Sequence, residues 1–176
     1  LDNVERVKNT FDAYAEDYEL LDRMFSQLKD IRHSIRRCEH GVLSEVEALE
    51  IKQNLLQLSI IAPALQKLAE AAGLCGMEIT DAAEALQKLD MDGEKSATFY
   101  IGENLSPMLS TIRREKREME KKIREAEGEA RDALLRERAL LAAREDEEET
   151  RIRALLSEQL RPYVYELLKN TDAIAA

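Results

Sequence analysis

The sequence predicts an all-α protein in the main: a helical core followed by a long antiparallel two-helix lever arm, with at most a minor pair of short β-strands. Three observations carry this. Apolar residues recur at intervals of three and four nearly throughout the 176 residues, the spacing that lines one buried face of a helix. Glycine and proline number only six and three, so few positions interrupt helical hydrogen bonding. From Ser106 to Arg161 there is no proline after Pro107 and one glycine, Gly128, amid a near-even mixture of Lys/Arg and Asp/Glu. Such a segment reads as long, largely solvated helix, and at about 1.5 Å per residue half of it would reach roughly 40 Å.

The first element is expected as one continuous helix, because Val4, Val7, Phe11, Tyr14, Tyr18, Leu21, Phe25 and Leu28 fall on a single stripe. Asp30 is positioned to cap a short helix carrying Ile31 and Ile35, which Gly41 should stop. Ser44 and Glu47 form a capping box, in which side chain and backbone satisfy each other across the first turn. The helix it opens carries Val46, Leu49, Ile51, Leu55, Leu58 and Ile61, and Pro63 should kink or restart it. Gly73 and Gly76 bracket a break. Asp81 and Glu84 read as a second capping box, starting a short helix that ends before Asp90–Gly93. The β-branched and aromatic run Ala97–Ile101 is the one strand candidate, with Met77–Thr80 as its pairing partner.

Ser106 followed by Pro107 is a helix start, N-cap then first helical residue. Leu109, Ile112, Met119, Ile123, Ala126, Ala130 and Ala133 give this helix a narrow stripe. Glu118 with Lys122, Glu120 with Arg124 and Glu127 with Arg131 are spaced for i,i+4 support. The stripe loses phase near Leu140–Ala143 and resumes at Ile152, Leu155, Leu156, Leu160 and Leu167. That change predicts a turn within 136–147, with the acidic run Glu145–Glu149 in the first turn of the returning helix, where the dipole favours it. Leu109, Ile112 and Ile123 are then expected to pack against Ile152, Leu156 or Leu160. Pro162 should bend the returning helix as it rejoins the core.

The formal net charge of −10 argues against the whole chain acting as a nucleic-acid clamp driven by counterion release. Arg113, Arg114, Lys116 and Arg117 are the best basic candidates for local contact, although glutamates are interleaved among them. Cys38 and Cys75 make no disulfide framework and suit a reducing, cytoplasmic setting. No apolar run approaches the roughly 20 residues of a membrane span, so no membrane partner is expected. Cys38 and His40 with His33 lack a second pair at zinc-finger spacing. Asp90–Gly93 has the look of a calcium loop, but position twelve is Ile101 where a bidentate glutamate is required, so the segment reads as a turn. No phosphate-binding glycine loop or nucleophile elbow occurs. The chain is therefore not expected to be an enzyme by itself. No catalytic, cofactor-binding or metal-binding residue is assigned, and the nucleic-acid-binding residues are left unknown.

Three segments together resemble a known family. The first is Leu28–Arg32, followed by Arg36 and Arg37 and by Gly41–Ser44 leading to Glu47. The second is Phe99–Ile101, then Ser106–Leu109, then Ile112 and Arg113. The third is Leu155–Leu160 with Leu167 and Asn170–Ala175. In this order they resemble the core and lever region of MutS-type DNA mismatch-repair ATPases and of paralogues that act on recombination. The resemblance implies a helical core over 1–105, a lever arm over 106–170 and a truncated link, 171–176, toward an ATPase domain outside this chain. It also implies ATP and magnesium as cofactors of the parent protein, duplex DNA as its partner, and a homodimer whose arms enclose that duplex. No mismatch-reading Phe-x-Glu domain, Walker phosphate loop or β-rich clamp is present in 1–176, so none of the family's ATP- or mismatch-contacting residues has a match here. The alternative is a coiled-coil interaction adaptor with no nucleic-acid role.

Overall fold

The computed structural model describes residues 2–175, which are all-α: helices joined by turns and extended connections, with no strand among them. The helices are α1 (Asp2–Lys8), α2 (Ala15–Phe25), α3 (Arg32–His40), α4 (Glu45–Ala72), α5 (Ala83–Leu89), α6 (Pro107–Glu125), α7 (Gly128–Leu160) and α8 (Val164–Ala175). Short 3₁₀ turns precede α6 and α8.

The hub is organised around α4. Its N-terminus carries the expected capping box: Glu47 N–H donates to Ser44 Oγ and Ser44 N–H donates to Glu47 Oε2, at 3.2 and 2.8 Å. Pro63 does not end this helix, which continues to Ala72. An interior proline costs about 3 kcal/mol. The buried face runs on through Ile61, Ala64, Leu68 and Ala72, and each large apolar side chain buried there contributes about 1.5–3 kcal/mol, enough to offset the loss. Gly73 then adopts the left-handed conformation (φ 64°) that closes the helix, with its N–H on Glu70 O and that of Leu74 on Ala69 O. Its buried face shares one core with Leu21 of α2, Ile35 and Cys38 of α3, Ala85 and Leu89 of α5, and Leu156, Leu160, Val164 and Leu167 from the returning chain.

The single N-terminal helix is not observed. Residues 9–14 form turns between α1 and α2, and Val4 and Phe11 on the supposed stripe are 72% and 48% exposed. Thr10 accounts for the break: its hydroxyl lies 2.7 Å from both Val7 O and the Tyr18 hydroxyl, so a side-chain bond takes a carbonyl from the helical ladder. Asp30 accepts from Arg32 N at 3.2 Å, but the N-cap position of α3 is Ile31, one residue later, and carries no side-chain cap; Gly41 ends the helix in extended rather than left-handed conformation. Asp81 accepts from Ala83 N at 2.9 Å, but Glu84 makes no reciprocal bond and instead accepts from the Tyr163 hydroxyl.

The two strand candidates are extended connections that never pair. Asn170 takes the place of a partner strand: its amide donates to Thr80 O and accepts from Thr80 N–H, both at 2.8 Å. Asn54 satisfies Lys29 in the same way, at 2.8 and 3.2 Å. Two buried asparagines therefore meet the backbone requirements of two connections without a sheet.

The arm is an antiparallel pair, α6 out and α7 back, with Glu115 opposite Arg144 and Glu120 opposite Arg138 at 3.9 and 3.8 Å. Its turn lies at Ala126–Gly128, earlier than the expected 136–147, with Gly128 supplying a φ of 57°. The lost phase near Leu140 marks a change of partner rather than a turn. The first half of α7 faces α6, whereas its second half also meets α3 and α5 of the hub. Glu145–Glu149 accordingly lie in mid-helix, where Glu145 and Glu149 pair with Arg113 and Lys116 of α6. The expected i,i+4 pairs do not form, since Glu120 faces Arg138 across the arm and Arg124 bonds the Glu120 carbonyl. Leu109 does meet Ile152, together with Ile101, but Leu156 and Leu160 belong to the hub core. The Arg161–Tyr163 3₁₀ turn, containing Pro162, bends the chain from α7 into α8.

Candidate hub–arm junction

Where the arm leaves the hub, three segments are tied together by one side chain. Arg113 of α6 is 12% exposed, and its guanidinium donates to Glu145 Oε1 (2.8 Å) and Glu149 Oε1 (2.7 Å) of α7. It also donates to Ile101 O and the Tyr100 hydroxyl, each at 2.9 Å, and stacks over the Tyr100 ring at 5.3 Å. A planar fork of five donors can serve three directions at once, which a lysine ammonium cannot do with fixed geometry. Burial alone would lower the Arg113 pKa, but the bonds to Glu145 and Glu149 outweigh it and raise the value above normal. Glu145 shows the converse. Burial would raise it, yet Lys116 and Arg113 together hold it below its usual range.

A second buried contact lies about two turns back along α6, at its N-cap. Ser106 Oγ accepts from Leu109 N at 3.3 Å, as a helix cap should, and donates to Glu148 of α7. Glu148 is held down to about 2, first by Arg151 and then by Ser106. An apolar layer of Ile101, Leu109 and Ile152 seals this base, and Phe99 packs against both this layer and the hub core. Further along α7, Ser157 Oγ accepts from Leu43 N at 3.0 Å and donates to Arg153 O. Arg161 then reaches Cys38 O at 3.1 Å.

The segment feeding the junction is anchored in turn by an ion pair that sequence reasoning missed. Lys52 of α4 is 1% exposed and its ammonium lies 2.8 Å from Asp90 Oδ1 and 3.8 Å from Asp92. Asp90 also accepts the Lys95 N–H on both oxygens at 3.0 Å, in a turn where Gly93 and Lys95 take positive φ. So Asp90–Gly93 is a turn, as expected, organised by a lysine. The missed signal was visible: Lys52 falls on the same helical face as Ala48, Leu55 and Ile51, and a lysine on a buried stripe requires a carboxylate.

The four basic candidates do not form a phosphate-binding patch. Arg113 and Lys116 pair with Glu145 and Glu149, and Arg117 pairs with Glu103 at 2.5 Å. Only Arg114, exposed on α6, has no carboxylate partner among the described residues. His33, Cys38 and His40 come from one helix, with Cys38 buried and its thiol pushed up to about 11 by that burial. Among the described residues no group of three or more His, Cys, Asp or Glu side chains is placed to hold a metal ion. Among them too, no helix is long and apolar enough to cross a membrane. The junction is a set of charge-assisted bonds that ties both arm helices to the Tyr100–Ile101 segment. No protein-family model matches this chain, and no curated protein or solved structure matches it either.

Proposed function

We propose that this chain is the core and lever domain of a MutS-like DNA mismatch-repair or recombination ATPase, coupling a nucleotide-driven head to arms that embrace duplex DNA. The observation that carries the reading is the Arg113 cluster, which joins the hub segment Tyr100–Ile101 to both arm helices. An arm fixed in this way turns with the hub instead of swinging on it, and rigid coupling of that kind is what a lever requires. Part of the second segment that carries the family resemblance, Phe99–Ile101, Ser106, Leu109 and Arg113, builds the junction, and Asn170 of the third holds the Thr80 connection. In this reading duplex DNA and a homodimeric partner belong to the parent protein. In the same reading ATP and magnesium belong to a separate ATPase domain of that parent.

The test softens the arm while leaving the junction intact. Ala142 and Ala143 are exposed on α7, and changing both to glycine costs about 1 kcal/mol each in helix propensity. In the full-length parent, the double variant should hydrolyse ATP at the normal rate without DNA, yet lose the nucleotide dependence of its duplex affinity. A parent whose duplex affinity ignores nucleotide, or a variant with coupling intact, overturns the reading. The adaptor alternative draws support from one feature, the exposed Leu140 beside a groove on the arm. It requires full activity of the parent in the glycine variant.

A further inference from the structure

One face of the arm carries a groove of about 400 Å³ between α6 and α7. Its floor is apolar, made by Met119, Leu140 and Leu141, and Leu140 is 67% exposed. An isolated solvated hairpin has no need of leucine there. Four charges mark the corners: Glu115 and Arg144 at the hub end, 3.9 Å apart, and Lys122 and Glu137 at the tip end. Signs therefore alternate around the rim, and each helix carries one acid and one base seven residues apart.

We propose that this groove docks a second copy of the same arm, face to face about a two-fold axis. The alternating corners are self-complementary under both axes that lie in the plane of the face. An axis crossing the helices sets Glu115 over Lys122 of the second copy and Glu137 over Arg144. An axis running along the arm sets Glu115 over Arg144 and Lys122 over Glu137. In either arrangement every corner meets its opposite, and the two apolar floors cover each other, as an isologous interface requires. A partner of uniform charge, whether nucleic acid or a strongly acidic or basic peptide, would meet two like charges in any orientation. Glu118, exposed within the same groove, is the one charge that has no opposite across the axis, and it limits the affinity.

The patch is small beside the roughly 800 Å² per partner of a stable interface, so association is weak and reversible. It is also salt-sensitive, because the corner charges are solvated. The proposal concerns the arm surface alone and does not depend on the lever reading. It is tested on the 176-residue chain by sedimentation equilibrium from micromolar to millimolar concentration. The expected result is a reversible monomer–dimer equilibrium. Leu140→Glu and Glu137→Arg should each weaken it by roughly tenfold or more. The double variant Glu137→Arg/Arg144→Glu no longer alternates around the rim but keeps opposite charges facing each other across the axis that crosses the helices, so it should recover association along that axis and not along the other. Circular dichroism melts of Leu140→Glu and Glu137→Arg should match the parent chain, since both altered side chains are exposed on the arm. Purely monomeric behaviour through millimolar, or association indifferent to Leu140→Glu, would each overturn the proposal, whereas a double variant no better than Glu137→Arg assigns the dimer to the axis along the arm. None of these outcomes touches the glycine test of the lever.

Discussion

Removing the carboxylate of Asp90 should unfold the hub far more readily than any surface change. In Asp90→Ala, the Lys52 ammonium keeps its 1% exposure but loses its 2.8 Å partner, and the Lys95 N–H loses both acceptors. Asp92, at 3.8 Å and more exposed, compensates weakly. Breaking one side of a buried pair costs about 3–5 kcal/mol, because the surviving charge is stranded out of water. At about 2–4 °C per kcal/mol for a chain of this size, the melting temperature should fall by roughly 6–20 °C. The second half of the argument is the double variant Lys52→Met/Asp90→Ala. A buried ion pair is costly to break but contributes little net stability, so replacing both charges should regain most of the loss. Urea denaturation followed by circular dichroism measures both. The wild-type pair also sets a pH response. Burial would raise the Asp90 pKa, but the bonds from Lys52 and from the Lys95 amide lower it overall. A depressed carboxyl pKa stabilises the fold above the ordinary carboxylate range, near pH 4, and that contribution is lost as pH falls through the lower folded value. A single variant costing less than 1 kcal/mol, or a double variant as unstable as the single, would refute this account of Lys52.

Three further outcomes are expected. Asn170→Ala leaves both polar groups of Thr80 unpaired, which should cost about 1–3 kcal/mol and speed amide exchange over residues 77–82 more than in α4. Glu148, held near 2, should keep the arm base closed in acid until well below the usual carboxylate range, whereas Glu148→Gln should show no such acid transition in the exchange rates of Ser106–Leu109. Of the two thiols, exposed Cys75 should react with a maleimide at once, while buried Cys38, raised to about 11, should react only as the hub unfolds.

Much of the helical layout could be read from residues that act locally. Ser44 with Glu47, Gly73, Ser106 with Pro107, and Pro162 each satisfy or terminate backbone hydrogen bonds within a turn or two, so their effect is written beside them in the chain. What could not be read depends on partners far away in sequence. Pro63, itself exposed, is tolerated because burial of Ile61, Ala64 and Leu68 on either side outweighs the missing amide, and the residues that cover that face come from other helices. Thr10 breaks the N-terminal stripe through its hydroxyl bond to Val7 O, and the same hydroxyl meets that of Tyr18, eight residues on. The arm turn was misplaced because periodicity reports which neighbour a helix faces, and α7 changes neighbours along its length. The junction was glimpsed only in outline. Arg113 stood out as a base, but its carboxylate partners lie 32 and 36 residues away and come opposite only once the turn is set at Gly128.

That two-residue connection has a practical corollary. A side chain built at Gly128 would meet nothing within 4 Å, and the flanking Glu127 and Glu129 are exposed, so the far end of the hairpin is sterically vacant. The fastenings of the hairpin sit at its opposite end, about 25 Å away along α6. Foreign sequence with closely spaced termini could be spliced into this apex without disturbing them, making it a natural port for grafting cargo or a fluorescent reporter.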